Sequence, residues 1–234
     1  MNPVVIILGV LLVVITYLIF FVFTGTQSLN KKVDLGGAQS PILASTLSNP
    51  GSVRYSYELW VYVYQFETGG KYLFYRTSKS GNKNIGLKLG NTEPSLNLEY
   101  TTTAATAATA TSPATTGTQK SLVISSNFPI QTWTQVIISV DNNYIDAYIN
   151  GKLVKSIQDS LEAPDINSSI TYGVVKAYLA KFNRNTYPID PQAAWNNYMA
   201  GNGVSGATSS LMGNYGASIT FNKDAAEFSK LTLF

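Results

Sequence analysis

The chain has 234 residues, with 16 basic against 13 acidic side chains and neither histidine nor cysteine. That excludes Ser-His-Asp and Cys-His nucleophiles, removes the usual ligands of zinc and haem, and leaves no disulfide framework. The net charge of +3 is scattered rather than gathered into a basic patch, so nucleic acid is not an expected partner.

The chain opens on Val4 to Phe23, which carries no charged side chain. At ~1.5 Å per residue a helix of this length reaches ~30 Å, the thickness of a bilayer core. No Lys or Arg precedes it and no small-x-small cleavage pattern follows, so residues 1–23 read as a retained transmembrane anchor rather than a removed leader. Val4, Leu12, Phe20 and Phe23 stand for its lipid-facing surface, and the bilayer is an expected partner. Lys31 and Lys32 are the first basic side chains after it, which favours a single pass with the following domain on the cytosolic side. Residues 24–50 then read as a polar stem, and residues 51–234 as one folded domain.

Within that domain, period-two patterns dominate. In Tyr55–Tyr64 one face carries Tyr55, Tyr57, Leu59, Val61 and Val63, and the other Ser56, Glu58, Trp60, Tyr62 and Tyr64. Both faces are aromatic-rich, as in a strand inside a sandwich. Further strands are predicted at Lys71–Arg76, Ile85–Leu89, Ser95–Tyr100, Ser121–Ser125, Gln135–Asp141, Tyr144–Ile149 and Lys152–Ile157. Their separators are clusters of Gly, Asn, Asp and Ser, which supply turns. Asn150-Gly151, between two β-rich runs, predicts a two-residue type I′ hairpin, and Asp141-Asn142-Asn143 another tight turn, so three strands should follow one another as a meander.

Residues 101–118 are almost wholly Thr and Ala, too small to supply a core, and read as an inserted surface loop. Asp190–Gly201 has a capping Asp, then Pro, and Gly at its end, the pattern of a short helix. Its Trp195, Tyr198 and Met199 form one stripe expected to lie against the sandwich edge. Tyr215–Phe221 and Glu227–Phe234 predict a closing hairpin around Asn222-Lys223-Asp224.

The residues Trp60-Val61-Tyr62-Val63, Trp133-Thr134-Gln135-Val136-Ile137-Ile138 and Tyr148-Ile149-Asn150-Gly151-Lys152-Leu153-Val154 resemble the concanavalin A-like, laminin-G-like jelly-roll domains, over about residues 53–203. The resemblance implies an all-β antiparallel jelly-roll sandwich with one short helix, here preceded by the transmembrane helix. A single domain of this kind behind an N-terminal anchor and without cysteines also resembles membrane-associated minor capsid proteins of large double-stranded DNA viruses. That implies a structural virion protein with capsid proteins as partners.

Glycoside hydrolysis needs only two acids, but the closely spaced Glu-x-Asp-x-x-Glu that the similar glucanases carry is missing here, so no catalytic residue and no enzyme activity are expected. Calcium is the one cofactor left as a candidate, with oxygen ligands from Asp141, Asn142, Asn143 and Asp146 or from Asp159, Glu162 and Asp165, against the simpler reading of structural turns. Two functions follow as expectations. One is a non-enzymatic tether holding an inner virion membrane to the capsid shell. The other is a membrane-anchored lectin-like adhesion module, with exposed aromatics such as Trp60, Tyr62, Trp133 and Trp195 stacking on sugar rings.

Overall fold

The computed structural model describes residues 8–16, 25–78, 80–103, 117–203, 218–223 and 226–232. Two antiparallel sheets stack face to face, as the period-two patterns require. The first contains β1 (Thr26–Asp34), β2 (Arg54–Val63), β7 (Thr134–Asp141), β8 (Tyr144–Ile149), β9 (Lys152–Gln158) and β11 (Ala177–Asn185), in the order β1-β11-β2-β7-β8-β9. The second contains β3 (Tyr72–Thr77), β4 (Lys83–Leu89), β5 (Leu96–Thr101), β6 (Gln119–Ser125) and β10 (Ile170–Tyr172), in the order β10-β3-β4-β5-β6. A separate two-stranded sheet pairs β12 (Ser218–Lys223) with β13 (Ala226–Thr232), the closing hairpin expected from sequence.

The core lies between the two large sheets. Tyr55, Tyr57, Leu59, Val61 and Val63 of β2 all enter it, meeting Leu73 and Phe74, Leu87, Leu98, and Leu179 and Phe182 of β11. Phe74 and Phe182 rings lie 4.8 Å apart, with Tyr57 5.1 Å from Phe74. The Asn150-Gly151 turn has φ of 49° and 73°, the paired positive angles of the type I′ geometry, and β7, β8 and β9 follow as the expected meander.

The stem is a correction. Residues 26–34, expected in a polar linker, form an edge strand paired along β11, and Leu35 and Leu47 beyond it are buried. The sequence Thr26–Asp34 looks like a linker because an edge strand with one solvated face needs few apolar residues; here Val33 alone is buried. The folded unit therefore begins near residue 25, not 51.

Two fully buried arginines close one end of the sandwich without a carboxylate. Arg76 donates to the carbonyls of Pro50 (2.7 Å), Asp165 (2.7 Å) and Ser168 (2.9 Å). Arg184 donates to the carbonyls of Ser48 and Asn49. Between them they fix the loop 48–50, whose carbonyls would otherwise be buried unpaired.

At the N-terminus a helical stretch covers 8–16, with exposed apolar side chains including Leu12. No helix among the described residues is long and apolar enough to cross a membrane. Val4, Phe20 and Phe23 lie outside the described residues, as does most of the Thr/Ala-rich segment. Thr101 and Thr102 at its start are buried, bonded to Lys83 and Thr118 carbonyls.

Candidate functional site

The outer face of the six-stranded sheet is where the unusual side chains collect, because β2 alternates. Its odd residues fill the core, which sends Ser56, Glu58, Trp60 and Tyr62 outward. Across this face lies α1 (Pro191–Met199), started by Asp190, whose carboxylate accepts from the Ala193 N–H at 2.8 Å. Its approach is pinned by Ile189, whose N–H donates to Ser139 Oγ (2.8 Å) and whose carbonyl accepts from the Tyr148 hydroxyl (3.3 Å). Burial, then the nearby Asp146 and Asp190, push the Tyr148 phenol up to about 12.

Helix α1 sits on the sheet face rather than the sandwich edge, and its stripe is not what it buries. Ala194 is the residue fully buried, against Ile137, Tyr148 and Ile189, while Trp195 and Met199 remain 40% and 66% exposed. Ala is small enough to let the helix backbone approach the sheet, which no apolar-stripe pattern signals. Gly151 completes the fit: a Cβ there would stand 3.0 Å from both Trp195 Cα and Tyr198 Cβ.

The four aromatics expected to be exposed separate into three environments. Trp60 is only 6% exposed and stacks under Tyr198, with ring centroids 5.8 Å apart and planes 16° from parallel. It is thus a docking surface for α1, not an open contact. Trp195 is exposed on the helix, 5.7 Å from Tyr198. Trp133 and Tyr62 lie side by side at 5.4 Å and extend into a half-buried ladder, with Tyr62 to Tyr178 at 6.4 Å and Tyr178 to Tyr64 at 5.1 Å. Lys32 Nζ lies 5.5 Å from the centroid of the Tyr178 ring. Tyr178 joined the set through register, since it pairs with Tyr62 across β11 and β2. Alternation along Ala177–Arg184 was the signal that could have found it.

On the other side of Trp60 along the same strands, α1 overhangs a polar cleft of about 260 Å³ that includes Glu58, Lys181, Asn183, Tyr187 and Asn197. Glu58 is 7% exposed; its two oxygens accept from Gln135 Nε2 (3.0 Å) and Asn197 Nδ2 (2.9 Å). Burial raises its pKa, against the opposing pull of the Gln135 bond, the Lys181 charge and the Asn197 bond. Lys181 takes a φ of 44° at a bulge in β11, and its ammonium donates to the carbonyls of Ala200 and Gly201 at the helix end. Neither the bulge nor the cleft could be read from residue pattern.

Of the expected calcium ligands, Asp141 and Asp146 line a common hollow that Asn143 does not line. Asp141 pairs with Arg54 at 2.8 Å, Asn142 has the positive φ of a turn residue, and Asn143 follows it in the β7–β8 turn. Asp146 and Asp141 line that hollow together with Asp190 and Tyr148. Among the described residues no three or more His, Cys, Asp or Glu side chains are grouped so that they could hold a metal ion.

Several solved structures are similar to this chain. A botulinum neurotoxin serotype D ligand binding domain in complex with N-acetylneuraminic acid has a TM-score of 0.55 at 13% identity, covering 75% of this chain and 46% of that one. The binding domain of botulinum neurotoxin DC, in complex with SialylT, gives 0.47 at 12% identity over 65% and 37%. The serotype G binding domain gives 0.46 at 14% over 63% and 36%. This chain therefore spans less than half the length of each of these solved chains. No curated protein sequence matches it. The sandwich described above agrees with the family model that matches residues 35–178, more than half of the sequence. The chain belongs to the concanavalin A-like lectin/glucanases superfamily.

Proposed function

We propose that the protein is a non-enzymatic carbohydrate-binding module that stacks an extended glycan on the ladder of Trp133, Tyr62, Tyr178 and Tyr64. The observation that carries this reading is the ladder itself: neighbouring ring centroids 5.1 to 6.4 Å apart, half-buried and so held rigid, on a part of the sheet face that α1 does not cover. Aromatic faces hold the apolar face of a sugar ring at little entropic cost, because two χ angles fix each ring. An open row suits a chain of sugars better than a single one. The neurotoxin serotype D domain solved with N-acetylneuraminic acid supports the ligand class by analogy of fold. The absence of a second acid among the residues lining the Glu58 cleft supports binding without hydrolysis, since glycosidases use paired carboxylates.

The charge-free run Val4–Phe23 serves in this proposal as the membrane anchor, with Lys31 and Lys32 favouring the cytosolic side for the domain. The ladder lies at the far end of β1, where Asp34 pairs with Tyr178, ~27 Å from Thr26 at ~3.3 Å per residue. It therefore lies at the opposite end of β1 from Thr26, the first strand residue after the apolar run. The same display suits the second reading, in which the rings meet capsid proteins and the chain tethers an inner virion membrane to the shell.

Retention of the full chain on a printed glycan array, in a zwitterionic detergent without sugar headgroups, tests the first reading. Extended glycans should hold it, and Trp133→Ala should weaken that hold. An array without signal, together with a protein footprint over Tyr62 and Trp133 in assembled particles, would replace the lectin with the tether.

A further inference from the structure

The cleft under α1 is distinct from the ladder, and its chemistry differs. We propose that it is a second binding site, taking one neutral glycosyl unit through two adjacent hydroxyls held by Glu58 and Asn183. This stands on the cleft and does not require the ladder to bind anything.

The donors and acceptors define the ligand. A carboxylate offers about four lone-pair positions, and Glu58 uses two of them on Gln135 and Asn197. Asn183, on the same wall, makes no side-chain hydrogen bond among the described residues, so both its donor and its acceptor are free. Thr26 and Tyr187 also line it, with hydroxyls that already bond each other at 3.1 Å. A carboxylate beside an unengaged amide matches two neighbouring hydroxyl groups, which can donate to the acid while accepting from the amide.

Charge and size exclude the alternatives. Glu58 is balanced within the cleft by Lys181, so neither a cation nor an anion gains net attraction. Lys181 is itself spent on the helix-end carbonyls of Ala200 and Gly201. At about 260 Å³ the space falls just below the ~300 Å³ at which pockets for drug-sized ligands begin, enough for one ring and not for a chain.

The sugar could come free in solution or as the headgroup of a glycolipid. Thr26, which lines the cleft, lies three residues past the end of the apolar run, so the cleft is joined to that run by a short stretch of chain within reach of a headgroup in the same bilayer. Saturation-transfer NMR on the full chain in zwitterionic detergent, with the methyl α-glycosides of glucose, mannose and galactose, reads the shared chemistry. At least one should receive saturation on the protons of two adjacent hydroxyl-bearing carbons. Asn183→Ala should weaken it about tenfold, the worth of one lost polar contact, with thermal stability little changed because the Asn183 side chain makes no hydrogen bond among the described residues. Nanodiscs with and without glucosylceramide then separate the sources: competition of the glycoside signal by glucosylceramide alone points to the headgroup, and its persistence to free sugar. No saturation for any glycoside, or equal saturation in Asn183→Ala, overturns the proposal. Array binding by the ladder would survive either result, and loss of array binding would leave this signal untouched.

Discussion

Asn197 of α1 donates to the buried carboxylate of Glu58 on β2 at 2.9 Å, joining the helix to the sheet through an acid that has almost no water. The bond orients α1 so that Tyr198 covers Trp60, and it leaves Glu58 charged only at a cost in desolvation.

This gives stability a pH dependence with a definite sign. The pKa of Glu58 is raised above its ordinary 4.5, so the folded state binds the proton more tightly than the unfolded one. Its contribution is fully present below the unfolded value and is lost as pH rises through the folded pKa. Glu58→Gln should flatten that decline, because an amide does not titrate, although it turns one of the two accepting positions into a donor facing Gln135 or Asn197. Melting curves across pH for both proteins check it; parallel slopes would show that Glu58 does not titrate with folding.

Gly151 allows α1 to seat. Its φ of 73° disfavours any side chain, and a Cβ would press on the helix at Trp195 and Tyr198. Gly151→Ala should cost about 2 kcal/mol or more. Gly201 has nearly the same φ but open space around it, so Gly201→Ala should cost only about 1 kcal/mol. Denaturant midpoints for the pair separate backbone strain from the clash.

Arg76 holds three carbonyls in the interior, whereas Arg54 meets Asp141 in solvent. Arg76→Met should lose about 3 to 5 kcal/mol by leaving those acceptors unpaired. Arg54→Ala should lose under about 1 kcal/mol. Urea unfolding of the two variants makes the comparison.

Trp133→Ala removes one end of the ladder and leaves the core intact. Glycan retention should fall about tenfold, near 1.4 kcal/mol, with the melting temperature almost unchanged. An equal fall for Trp195→Ala would move the contact to the helix.

The sandwich was legible because its strands carry the signal locally. Alternation in Tyr55–Val63 and the Asn150-Gly151 turn identify β2 and the β8–β9 hairpin with no distant information. Asp190, Pro191 and Gly201 likewise marked α1 from its ends. β1 was missed for the opposite reason: an edge strand is defined by its partner, and its own residues resemble a linker.

The sequence by itself determined which segments extend, where they turn, and that β2 has one apolar and one mixed face, since each depends on backbone preferences and spacing within a few residues. Only the tertiary structure decided that Trp60 is covered while Tyr62 and Trp133 stay open. It alone set Tyr178 beside them and turned Glu58, an isolated acid in the chain, into the floor of a cleft. Those outcomes rest on cross-strand register, on the bulge at Lys181 and on where α1 lands, and such relations join residues more than a hundred positions apart, as Glu58 and Asn197 are.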